Sequence, residues 1–106
     1  MIVKVPRSIK IGNFNFKVKF TEHLKVDDNW RGSCNQRKGL IEIDPIAGNS
    51  MNRTLIHEVV HMIDFNYECG FDEDTTSRIA NGVSELIFDN LGVELDWSGI
   101  DELEEK

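Results

Sequence analysis

The sequence predicts an α+β fold: a small, largely antiparallel sheet of three to five strands packed on two helices. Three observations carry the prediction. Phe14-Asn15-Phe16-Lys17-Val18-Lys19-Phe20 alternates apolar and polar residues without a break, the period of a half-buried strand. Two strand–turn–strand patterns lie in the first half of the chain. Two apolar periodicities of helical spacing fill the second half. With 106 residues, one modest core can form and a second cannot.

Taken in order, Ser8-Ile9-Lys10-Ile11 is joined to the alternating run by Gly12-Asn13, a two-residue turn suited to a tight hairpin. The Phe14/Phe16/Val18/Phe20 face of that run must be buried, and the later helices are its partners. Thr21 to Asn29 reads as a polar loop with a short helical turn around Glu22-Leu24. A second hairpin follows: Trp30 to about Asn35, a turn through Gln36-Arg37-Lys38-Gly39, then Leu40-Ile41-Glu42-Ile43. Asp44-Pro45 ends it, because proline cannot continue a ladder. The Leu40–Ile43 strand, just before the first helix, reads as an open edge on which an extended peptide would pair. Ile46 to Asn49 is a loop.

A first helix is predicted over about 51–69, with Ser50 as N-cap and Gly70 as stop. A second is predicted over about 73–90, opened by Asp72 or Asp74, with acids in its first turn, and closed by Gly92. Ile79, Val83, Leu86, Ile87 and Leu91 form its apolar stripe. Gly82 interrupts that helix, which close approach of the two helix backbones would explain. The single domain is placed at 1–93. Residues 94–106 read as an acidic tail whose Leu95, Trp97, Ile100 and Leu103 dock loosely.

Charge and cysteine content narrow the function classes. Residues 1–20 carry Lys4, Arg7, Lys10, Lys17 and Lys19 with no acid; the rest of the chain holds all 19 acids, and the net charge is −7. An acidic protein repels phosphate backbones, so nucleic acid is not the expected partner. No stretch is long and apolar enough to span a membrane, and Met1 to Lys10 lacks the apolar core of a signal peptide, which points to the cytoplasm. Cys34 and Cys69 then read as free thiols.

The chemistry is concentrated in His57-Glu58-Val59-Val60-His61. Two histidines four apart stand one above the other on a helix face, so both imidazoles reach one metal ion. Glu58, one position along, leans over the side of that site, where a general base would take a proton from water. The bland reading is two polar histidines on a wet helix face. The sharp one is Zn²⁺-assisted hydrolysis of an amide. A catalytic zinc needs a third protein ligand, which in many enzymes of this pattern is a glutamate on the following helix.

Thr54-Leu55-Ile56-His57-Glu58-Val59-Val60-His61-Met62-Ile63-Asp64 and Ile79-Ala80-Asn81-Gly82, in this order of elements, resemble the small zinc-peptidase-like proteins of phages and mobile elements. These are relatives of the ImmA/IrrE-type and, more distantly, SprT-type metallopeptidases. The resemblance covers roughly residues 30–91 and implies a minimal zincin fold acting on a peptide or protein substrate, such as a repressor or another mobile-element protein. It also implies a ligand glutamate one helical turn before Asn81, where this chain has Ser77. Glu73 and Asp74 lie one further turn back. Glu73 has the longer reach and is the expected third ligand beside His57 and His61; its competing role is to favour the helix N-terminus. Asp64 is expected to brace a histidine or cap the helix, and Cys69 is a remote alternative ligand. Should the third ligand be lost, the chain would be a regulatory or binding module that keeps the fold without the catalysis.

Overall fold

The computed structural model describes residues 1–22, 32–45 and 50–102. Strands β1 (Ile2–Lys4), β2 (Ser8–Ile11), β3 (Phe14–Phe20), β4 (Gly32–Asn35) and β5 (Leu40–Ile43) precede helix α1 (Met51–Tyr67). Helix α2 (Glu73–Ser84) runs on into a π-helical turn, Glu85–Asn90, and β6 (Glu94–Asp96) follows. The fold is thus α+β. The expected helical turn at Glu22-Leu24, the residue Trp30, the loop Ile46–Asn49 and Leu103 lie wholly or partly outside the described residues.

Both hairpins form. β2 pairs antiparallel with β3 across Gly12-Asn13, and β4 pairs antiparallel with β5 across residues 36–39. The sheet order is β2-β3-β5-β4, with β3 and β5 parallel. Leu40–Ile43 is therefore an interior strand and not the open edge expected of it. Leu40, Ile41 and Ile43 are all buried, as a strand with neighbours on both sides requires. Among the described residues, β4 has β5 as its only strand partner, so the sheet edge nearest α1 is Gly32–Asn35, with β2 at the opposite edge.

The alternating run delivers its buried face in part. Phe16 and Val18 are sealed in the core with Val5, Ile41, Ile43, Leu55, Met62 and Ile100. Burial of each such large side chain is worth roughly 1.5–3 kcal/mol. Phe20 stacks on Trp97 at the core margin, and Phe14, at the hairpin tip, stays half exposed against the edge of Phe65.

The expected loose tail is instead built into the fold. β6 pairs in parallel with β1, a two-stranded sheet that no local pattern announced. Val5 N–H donates to the Asp96 carbonyl, Phe20 N–H to the Asp101 carbonyl and the Arg7 guanidinium to the Gly99 carbonyl. Trp97 Nε1 donates to Asn52 Oδ1 at 2.8 Å, latching the segment onto the first turn of α1. Ile100 joins the buried core and Phe20 bridges to Glu102, so residues 94–102 pack with the rest of the described fold.

Details of the helices also differ. α1 ends at Tyr67, because Glu68 takes a left-handed conformation (φ 51°) and both Glu68 N–H and Cys69 N–H turn back to the Asp64 carbonyl. Ser50 stands at the N-cap without a side-chain capping bond, whereas Asp72 caps α2 by accepting from Thr75 N–H at 2.7 Å. The apolar stripe of α2 does not face the core: Ile79 and Val83 are each 37% exposed, Leu86 54% and Leu91 61%. The buried face is Thr76, Ala80 and Ser84. Small side chains let α2 settle near α1 and turn its first residue toward the histidines. Nothing lies within 4 Å of where a Gly82 side chain would start, so helix approach does not explain that glycine.

Candidate metal centre

His57 and His61 share one face of α1, with ring centroids 4.9 Å apart and planes at 72°. Glu73, the first residue of α2, reaches both: its Oε1 lies 2.9 Å from His57 Nε2 and its Oε2 lies 3.5 Å from His61 Nε2. All three ligand atoms fall within 4.8 Å of one another. Bonds of about 2.1 Å in a tetrahedral arrangement set donor atoms about 3.4 Å apart, so this trio fits one small divalent cation with little movement. The group can hold a metal ion.

Electrostatics suit the same use. The histidine side chains are about a quarter exposed, open enough for an ion to enter. Burial pulls the His61 value down, against the charge of Glu73, and this favours the neutral imidazole that a metal requires. Glu58 is only 4% exposed. Its carboxyl is pushed up to about 8, first by burial and then by the charge of Glu73. A cation between the histidines and Glu73 would offset that repulsion and favour the carboxylate, with burial still opposing it.

Strand β4 passes close over Glu58 at Gly32. A Cβ built on Gly32 would stand 3.3 Å from Glu58 Cγ and 2.6 Å from Thr54 Cγ2, so only glycine admits α1 this close to the strand. Cys34, two residues along β4, has its thiol pushed up to about 12 by burial and by Glu58, and it stays protonated. Cys69 is exposed and outside the cluster; both cysteines are free.

The other expected candidates have different places. Asp74 lies in the first turn of α2 and is not part of the cluster, and Ser77 stands one turn beyond a carboxylate that already meets both histidines. Position 77 therefore need not carry a ligand. Asp64 is not placed to brace His57 or His61: its Oδ1 accepts Phe71 N–H at 3.0 Å, tying the α1–α2 connection to the helix. Gly32 is the residue sequence reading passed over, its only signal being a glycine at the start of a strand. Comparison with family models, with curated proteins and with solved structures found no match.

Proposed function

We propose that this protein is a small zinc-dependent metallopeptidase with a minimal zincin architecture. The observation that carries the reading is the convergence of His57, His61 and Glu73 from two helices, with Glu58 buried one residue from the first ligand. Two neutral imidazoles and one carboxylate, with room for water, are a donor set suited to catalytic zinc. Zn²⁺ held there would supply a Lewis acid that polarises a carbonyl and acidifies water. Glu58 takes the proton of the attacking water and returns it to the leaving amine. The free edge of β4, packed against Glu58 through Gly32, offers backbone groups on which an extended peptide would pair antiparallel. A protein substrate fits this edge, and the resemblance of the motif segments favours one from a phage or mobile element, met in the cytoplasm.

The test uses protein purified without a histidine tag, assayed for metal content and for cleavage of a mixed peptide library read by mass spectrometry. The reading expects one zinc per chain and cleavage that Glu58→Gln lowers on the order of 10²–10⁴-fold while keeping the metal. Cleavage by Glu58→Gln at the wild-type rate would falsify the mechanism. Weak metal binding with no cleavage would favour the regulatory module instead.

A further inference from the structure

Apart from its contacts with His57 and His61, the Glu73 side chain is largely open to solvent. It is 62% exposed, and as the first residue of α2 Glu73 has no earlier helical turn to fix it. Its position is set by residues 68–72, which connect the helices. That connection doubles back along α1: Phe71 lies beside Asp64, one turn past His61, and two residues later Glu73 meets His57 and His61. Two left-handed residues, Glu68 at φ 51° and Gly70 at φ 74°, shape the reversal.

Asp64 holds this path at three points. Its carbonyl accepts Glu68 N–H and Cys69 N–H, and its carboxylate accepts Phe71 N–H. The carbonyl bonds belong to any helix end of this kind. The carboxylate bond depends on the side chain, and it joins the histidine-bearing helix to the segment that delivers the third ligand. A bond to a charged acceptor is among the stronger ones available to a backbone N–H.

We infer that Asp64 is a positioning residue for the metal centre, acting through Glu73 by fixing the reversal of residues 68–72. The inference rests on the metal reading of His57, His61 and Glu73. Two other roles are open to a carboxylate in this place: its charge bears on His61, and a helix-end bond stabilises the fold whatever the site does. The three roles differ in how they combine with loss of Glu73.

The experiment is calorimetric titration of metal-free protein with Zn²⁺ alone, on wild type, Asp64→Ala, Asp64→Asn, Glu73→Ala and the double variant. Asp64→Ala is expected to weaken zinc binding about 10- to 100-fold, the usual cost of losing an outer support of a ligand. Asp64→Asn keeps an oxygen for Phe71 N–H, as a weaker neutral acceptor, and loses clearly less than Asp64→Ala. Asp64→Ala adds nothing in the Glu73→Ala background, because the residue it positions is gone. Should Asp64→Ala fail to fold, Asp64→Ser, whose acceptor stops one bond short, takes its place in the cycle. Wild-type affinity in Asp64→Ala overturns the inference. So does an Asn variant as weak as the Ala variant, which assigns the effect to charge, or an additive loss in the double variant, which assigns it to the histidines or the fold. A wild-type protein that binds no zinc overturns the metal reading itself.

Discussion

Glu58 gives the metal-free protein a pH dependence whose size follows from its burial. Its carboxyl moves from an ordinary 4.5 to about 8 in the fold. A carboxyl raised in this way supports the fold fully below the unfolded value, and that support is lost as pH rises from there through the folded value, because the unfolded chain ionises freely and the fold does not. At pH 7 the unfolded chain gains about 3 kcal/mol from that ionisation. Glu58→Gln has no such proton to lose, so the metal-free variant is expected to be more stable than wild type. The gap grows from about 3 kcal/mol at pH 6.5 to about 4 kcal/mol at pH 8. His61, whose lowered value costs stability on acidification below its ordinary 6.5, acts in the opposite direction. It is common to both proteins and cancels in their difference. The assay is urea unfolding of chelator-treated protein across that pH range. Saturating zinc should narrow the gap, since a nearby cation favours the carboxylate. A glutamine variant no more stable than wild type, or a gap independent of pH, would refute the argument that Glu58 is buried at a cost in the metal-free fold.

Two further outcomes follow from the geometry. Glu73→Ala should weaken zinc binding by more than about 100-fold, leaving two neutral imidazoles, while Ser77→Ala changes it little; tight binding by Glu73→Ala would remove Glu73 from the centre. Gly32→Ala should destabilise the protein by about 1–3 kcal/mol through the close approach to Thr54 Cγ2, and adding Thr54→Ser should recover part of it, measured by urea unfolding. Stability unchanged in Gly32→Ala would show that β4 does not press on α1.

Local pattern made the two hairpins and both helices legible, since alternation, the Gly12-Asn13 turn and the Asp72 cap are each short-range signals. Pairings between distant segments were not legible. β1 is three residues long and meets β6 more than 90 positions later, so nothing near either strand marks it. The parallel joining of β3 to β5 likewise leaves no trace in a turn. It does leave one in composition: Leu40-Ile41-Glu42-Ile43 is nearly continuous in apolar residues, the mark of an interior strand, and weighing that run would have moved the free edge to β4. The α2 stripe misled for a different reason. Apolar periodicity shows that a helix has a face but not that the face is covered, and here the small residues Thr76, Ala80 and Ser84 took the contact with the rest of the fold.

The third candidate ligand shows where helical periodicity stops being informative. Glu73, Ser77, Ala80 and Ser84 follow one another at helical spacing along one side of α2, so a wheel drawn from the sequence admits Glu73 or Ser77 equally. Choosing between them needs the position of α2 along α1. A connection that simply reversed at residues 68–72 would set the start of α2 beside the end of α1 and bring a later turn, near Ser77, opposite His61. The chain instead folds back along α1 before α2 begins, which brings Glu73 to the histidines one turn early. The motif His57-Glu58-Val59-Val60-His61 sets two candidate donors on one face by spacing alone. The third candidate donor depends on the path of five residues between helices, and a carboxylate, Asp64, on the helix that carries the other two bonds that path at Phe71 N–H.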